Sequence, residues 1–128
     1  MKYKFLFLAV VISLIHGTIW AGDYAKRLEG KRLIIKGARH AGIEFKNKDV
    51  VVGYAEITRD ESVYEARIRW VESDLFLVTE KNRSLEKCPP RNWLYKVLRI
   101  SGNLVTLKEY GTGWSNLKDE ISEYQLVP

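Results

Sequence analysis

The chain has 128 residues, 46% of them hydrophobic and 29% charged, with a formal net charge of +5 at pH 7. Its one cysteine, Cys88, excludes an internal disulfide framework, so stability must come from a packed core. The length fits a single domain with one core.

The first predicted element is a secretory signal peptide over residues 1–21. Lys2 and Lys4 precede an apolar run over residues 5–15, and cleavage is predicted after Ala21. The run is too short for a transmembrane helix, which needs about 20 residues. We therefore expect residues 22–128 to form one exported domain, periplasmic or secreted, with no stable membrane span after cleavage. An uncleaved N-terminal anchor is the alternative.

Without the two lysines of the signal peptide, 19 basic and 16 acidic residues leave a net charge of +3. These charges lie in blocks of alternating sign, which predicts ion pairs between neighbouring strands. The alternative is a localised basic face for an anionic partner. The blocks are basic over 23–48 and 81–108 and acidic over 49–80 and 109–128.

Short β-branched and aromatic runs then follow one another to the end of the chain, after one short helical segment over 24–29. These runs predict strands. A tight hairpin turn is predicted at 101–103, and a loop with one helical turn starting at Ser115 is predicted over 111–119. The predicted strands cover 31–37, 42–46, 50–57, 64–71, 75–80, 93–100, 103–110 and 120–128.

Alternation of side chains assigns the two faces of these strands. In the clearest strand, 64–71, Glu65, Arg67 and Arg69 are predicted to face water. Trp93, Tyr95, Val97 and Arg99 are predicted to share one face of their strand. The residues predicted to point inward include Phe45, Tyr54, Tyr64, Trp70 and Leu77.

Seven or eight short strands joined by short turns predict an all-β fold, a small antiparallel up-and-down β-barrel with a short N-terminal helical segment. A small β-sandwich is the first alternative and a five-stranded oligonucleotide-binding barrel the second. Because several inward residues are bulky, we expect side chains to fill the interior.

The order of elements resembles small lipocalin-like barrels exported by bacteria. The features that carry the resemblance are the segments 28–31 ("LEGK"), 42–45 ("GIEF") and 94–107 ("LYKVLRISGNLVTL"). Those families often begin with a Gly-x-Trp element, and here Arg32 stands where the tryptophan would be, after Gly30. The resemblance implies binding of a ligand or a protein and supplies no catalytic residue.

The residue inventory argues against an enzyme, a cofactor or a metal site. After signal removal only His40 and Cys88 remain as a histidine and a cysteine, and His40 lies in a predicted turn over 37–42. A catalytic triad would have to use this histidine, and a zinc site needs several such ligands. Phosphate-cradling and metalloprotease motifs are absent from the sequence.

Cations and aromatic residues alternate over 90–99, which is a pattern of single-strand nucleic-acid binders. Both faces of this strand are largely apolar, and an exported protein meets little nucleic acid, so we predict a buried strand and no nucleic-acid partner.

We therefore predict a non-catalytic binding protein of the cell envelope. It would bind another protein, as an enzyme inhibitor or toxin-immunity factor does, through loops on a rigid barrel. The alternative is a carrier of a small apolar ligand in the barrel interior. The predicted binding residues are Arg83, Arg91, Trp93 and Trp114.

The segment 86–93 holds Cys88 beside two prolines. Pro89 and Pro90 cannot donate ladder hydrogen bonds and favour an extended chain, so they predict a stiff connector that sets the start of the next strand. A contact loop is the alternative for this segment. Cys88 itself is expected to be buried, with a dimer through Cys88 as the alternative.

Overall fold

The computed structural model describes residues 22–55, 62–81, 89–112 and 117–128. The predicted signal peptide, Cys88, and the predicted binding residues Arg83 and Trp114 lie outside these residues. One helix and eight strands follow in chain order. They are α1 (Gly22–Leu28), β1 (Arg32–Ile35), β2 (Gly42–Phe45), β3 (Val50–Tyr54), β4 (Ser62–Trp70), β5 (Leu75–Glu80), β6 (Asn92–Ser101), β7 (Leu104–Tyr110) and β8 (Glu120–Val127).

The eight strands form a closed antiparallel barrel in which each strand pairs with its neighbours in the chain, and β1 pairs with β8. The predicted all-β barrel is confirmed. Because consecutive strands run in opposite directions, the connections β1–β2, β3–β4, β5–β6 and β7–β8 all lie at one end. We call this the loop end. Helix α1 and the shorter connections lie at the opposite end, the helix end.

The barrel interior is filled by apolar side chains from every strand and by Leu28 of helix α1. Phe76 lies in the middle of this core and contacts three other rings. Its ring centroid is 5.7 Å from that of Phe45, 4.9 Å from that of Trp70 and 5.3 Å from that of Tyr95. Such close ring packing leaves the middle of the barrel occupied by side chains.

Face assignments from alternation are correct for β4, where Ala66 and Ile68 are buried and Arg67 and Arg69 are exposed. Two residues on other strands that were predicted to point inward point outward instead. Phe76, Val78 and Glu80 face inward on β5, which puts Leu77 on the outer face. Tyr54 is also outside, where its hydroxyl donates to Glu44 and the Arg32 guanidinium lies 4.1 Å from its ring centroid.

Strand β6 contains a bulge that changes its inward face. The register with β7 shifts between Val97 and Arg99, so one residue of β6 has no partner there. An extra residue reverses the alternation. Ile100 is therefore buried and Arg99 is exposed, the opposite of the prediction for Arg99. The predicted hairpin after β6 is confirmed, with Gly102 at φ 60° in a two-residue turn.

Helix α1 covers the helix end. Leu28 is fully buried, and the Gly30 N–H donates to the Phe45 carbonyl at 2.7 Å, which ties the helix to β2. In the part of the chain that the structure describes, no helix has the length and apolar character needed to cross a membrane.

Five ion pairs in the described part of the chain join charge blocks of opposite sign, as predicted. The exception is Lys46–Glu44, within one block. The five are Lys36–Glu123, Lys81–Glu65, Arg91–Glu80, Lys96–Asp74 and Lys108–Asp119.

Candidate binding site at the loop end

A groove of about 660 Å³ opens at the loop end, between the start of β6 and the connection from β7 to β8. We call it the loop-end groove. Its walls combine prolines, charged side chains and one indole ring. The lining residues are Pro89, Pro90, Arg91, Asn92, Trp93, Glu109, Gly111, Thr112, Leu117, Lys118 and Glu120.

One wall of the groove is held in place by an ion pair between Arg91 and Glu80. The Arg91 Nη2 donates to Glu80 Oε1 at 2.8 Å, and its Nε donates to Oε2 at 3.0 Å. The Glu80 side chain is only 7% exposed, because alternation on β5 points it into the barrel. Hydrogen bonding from Arg91 lowers the pKa of Glu80 and keeps the carboxylate charged.

The same wall contains two stacked rings. The Tyr64 and Trp93 centroids are 4.6 Å apart with an interplanar angle of 14°, and the Arg91 guanidinium lies 5.4 Å from the Trp93 centroid. Gly53 of β3 makes room for this stack, since a Cβ at position 53 would overlap the Tyr64 ring. Strands β3, β4 and β6 therefore fix the position of Trp93 together.

Hydrogen bonds also connect the other walls of the groove. The Thr112 hydroxyl donates to the Asn92 carbonyl at 3.1 Å, which joins the end of β7 to the start of β6. The Gly111 N–H donates to Asp119, whose carboxylate is paired with Lys108 at 2.8 Å. These contacts give the groove a defined shape without a bound molecule.

Acidic and phenolic groups meet beneath the groove. Glu109 of β7 is half-buried and is paired in register with Tyr95 of β6 and with Glu120 of β8. Burial is the main cause that raises the pKa of Glu109; the nearby charge of Glu120 raises it further, and hydrogen bonding from Tyr95 opposes the rise. The Glu109 carboxyl thus faces two strands and carries a proton more readily than an ordinary glutamate.

Three tyrosines surround this carboxyl. Tyr64, Tyr95 and Tyr124 each interact electrostatically with Glu109, and burial is the main cause that raises the pKa of each phenol. For Tyr124 the pKa rises to about 12. All three phenols therefore stay neutral at physiological pH, where they offer hydroxyl groups rather than charge.

Two of the four predicted binding residues, Arg91 and Trp93, lie together in the groove. Sequence reasoning missed Glu80, Glu109 and Tyr124, although Glu109 continues the inward alternation of Val105 and Leu107. The predicted turn histidine, His40, lies between β1 and β2, where its carbonyl accepts a hydrogen bond from Arg32 at 2.7 Å.

Within residues 22–55, 62–81, 89–112 and 117–128, no group of three or more histidine, cysteine or acidic side chains is arranged to hold a metal ion. The fold and the groove define a small closed antiparallel β-barrel with an open recess of mixed charged and apolar lining at one end. No family model, curated protein or solved structure matches the chain.

Proposed function

We propose that this chain is an exported binding protein of the cell envelope that contacts another protein through the loop end of its barrel. The observation that carries the proposal is the division of the molecule into two ends. Packed rings fill the middle, helix α1 covers the helix end, and the groove with its charged and aromatic lining lies at the loop end.

A protein partner fits the chemistry of the groove better than a small apolar ligand does. Pockets for such ligands are mostly apolar and enclose the bound molecule. Here the recess is open to solvent and carries the charged side chains of Arg91, Lys118 and Glu120 beside its apolar surface. The middle of the barrel is occupied by Phe76 and the rings around it. Arginine and tryptophan are also enriched among the few residues that supply most of the binding energy at protein interfaces.

The exported location rests on the N-terminal layout of charged, apolar and small residues over 1–21. An inhibitor of a secreted enzyme or an immunity factor against a delivered toxin suits a small, rigid, exported barrel. Such a protein needs contact residues on stable walls and no reacting group.

Native mass spectrometry of the mature protein purified from its own host tests the proposal. We expect a stoichiometric protein partner and no small molecule retained in the barrel. Leu117→Asp, in the groove, should release the partner. Val71→Asp should retain it, because Val71 is similarly exposed (51%, against 58% for Leu117) but lies in the β4–β5 connection at the helix end.

An apolar molecule that co-purifies with both variants would instead support the function of a small-ligand carrier. If the two aspartate variants bind the partner equally well, the loop end is not part of the interaction and the proposal is wrong.

A further inference from the structure

We propose that a pocket between helix α1 and the ends of β2 and β4 binds a small aromatic carboxylate, a molecule with one ring and one anionic group. We call it the helix-end pocket. The proposal goes beyond the proposed function, because this pocket lies at the end of the barrel opposite the loop-end groove. The lining residues are Ala25, Lys26, Glu29, Phe45, Asn47, Lys48, Ile68 and Trp70.

The size and the walls of the pocket suit one aromatic ring. Its volume is about 240 Å³. An apolar cavity of about 150 Å³ binds benzene, so a phenyl ring with a short substituent has room here. Phe45 and Ile68 are buried and Trp70 is half-buried, so the deep part of the pocket is apolar. Its two rings offer the offset and edge-to-face contacts that aromatic ligands prefer.

The pocket is formed without a ligand, because its walls are fixed by the core. The ring of Phe76 packs behind both aromatic walls, with its centroid 5.7 Å from that of Phe45 and 4.9 Å from that of Trp70. The Phe45 N–H donates to the Lys31 carbonyl at 2.8 Å, which holds the chain after α1 against β2. A preformed pocket costs little ordering when a ligand enters.

A short side chain on the helix leaves the pocket open. Ala25 is half-buried and contributes only a methyl group to the lining. A longer apolar side chain at this position would extend into the same space and replace the ligand.

Two lysines give the pocket its preference for an anion. Lys26 of α1 and Lys48 of the β2–β3 turn are exposed, so they lie on the solvent side of the lining. Neither pairs with a carboxylate of the described residues, and Glu29 is the one acidic side chain in the lining, which leaves a net charge of +1. The lysines that do pair are Lys36, Lys46, Lys81, Lys96 and Lys108.

The turn that carries Lys48 is itself ordered. The Asn47 side-chain oxygen accepts hydrogen bonds from the backbone N–H groups of Asp49 and Val50, at 2.9 and 3.0 Å. Lys48 therefore starts from a fixed backbone and needs to order only its side chain to reach a bound carboxylate. A carboxylate between two ammonium groups gains charge-assisted hydrogen bonds while its ring stays in the apolar part.

The test is an NMR titration of the ¹⁵N-labelled mature protein with three probes that share one ring. Phenylacetate is the anion, phenylacetamide the neutral control and phenethylamine the cationic control, all at constant ionic strength. We expect phenylacetate to shift the Trp70 indole signal, identified by its loss in Trp70→Phe, with a Kd on the order of 1 mM. Such a ligand dissociates during purification, so the expected mass spectrum of the purified protein is unchanged.

Two variants separate the apolar part of the pocket from its charges. Ala25→Leu should abolish binding of phenylacetate and phenylacetamide alike, and leucine is a good helix former, so the fold should persist. Lys26→Gln combined with Lys48→Gln should weaken phenylacetate by about fivefold and leave phenylacetamide unchanged. Lys118→Gln, an exposed lysine at the loop end, is the matched control and should change nothing. Retained dispersion of the amide spectrum checks that each variant is folded.

The proposal is wrong if phenethylamine binds as tightly as phenylacetate, if Ala25→Leu binds as the wild type does, or if phenylacetate causes no shift at ten times the expected Kd. Leu117→Asp should bind phenylacetate normally, because it changes the opposite end of the barrel. Failure of the phenylacetate titration therefore leaves the proposed function standing, and failure to find a protein partner leaves the helix-end pocket standing.

Discussion

Replacement of Arg91 by alanine tests whether the ion pair with Glu80 holds the loop end together. The substitution leaves a carboxylate that is 7% exposed without its two side-chain hydrogen bonds, each of which involves a charged group. Hydrogen bonds to charged groups contribute about 1.5–3 kcal/mol. The Arg91 side chain is 55% exposed, and water screens the pair, so we expect a loss of about 1–2 kcal/mol at pH 7.

The loss should depend on pH in a defined direction. Arg91 lowers the pKa of Glu80 below its usual value of 4.5 in the folded state. The stabilisation is therefore present above the unfolded pKa and is lost as the pH falls through the folded pKa. The difference in unfolding free energy between wild type and Arg91→Ala should shrink in acid below that usual value.

Urea unfolding followed by tryptophan fluorescence measures this difference, provided that the m-value is unchanged. Lys81→Ala is the matched control, since it removes a more exposed ion pair with Glu65 and should cost less than about 0.5 kcal/mol. Arg91→Lys should fall between them because it keeps the charge but loses the planar fork. An Arg91→Ala cost equal to that of Lys81→Ala, or one that is constant with pH, would refute the reasoning.

Three further predictions concern other parts of the molecule. Gly53→Ala should lower the unfolding free energy by about 1–3 kcal/mol, because the new methyl group overlaps the Tyr64 ring. A double-mutant cycle with Tyr64→Ala should show that this cost depends on the ring. Since the folded pKa of Tyr124 is raised from 10.0 to about 12, stability should fall across that interval, and Tyr124→Phe should flatten the alkaline loss seen by circular dichroism. Intact mass of the exported protein should correspond to a chain that begins at Gly22; a chain that retains residues 1–21 would contradict signal cleavage.

The strands were predictable because most of them bury one face and expose the other. Residues 75–80 were located correctly but assigned the wrong face, since Leu75 and Leu77 are as apolar as Phe76 and Val78. In such a run both faces carry apolar residues, so alternation does not show which face is buried. The pairing register with the neighbouring strands decides it. The bulge near Arg99 could not be predicted from the sequence, because no glycine marks its position.

The site was predictable only where the sequence concentrates unusual residues. Arg91 and Trp93 follow two prolines and were recognised as a contact region. Glu80 was not recognised, because its inward position depends on which face of β5 is buried. The sequence does not decide between the two faces. Glu109 could have been found, since Val105 and Leu107 set the alternation that points it inward. The proximity of Glu109 to Tyr124 depends on the pairing of β7 with β8, so it cannot be predicted from the sequence of either strand alone.

The pairing of β1 with β8 completes the hydrogen-bond ladder around the barrel, so that each described strand has a neighbour on both sides. A sheet with an unpaired edge can recruit a strand from another chain, which underlies both peptide capture by strand addition and much aggregation. Neither route is open to these eight strands. Recognition by these strands therefore depends on their side chains, because their backbone groups are already paired with neighbouring strands.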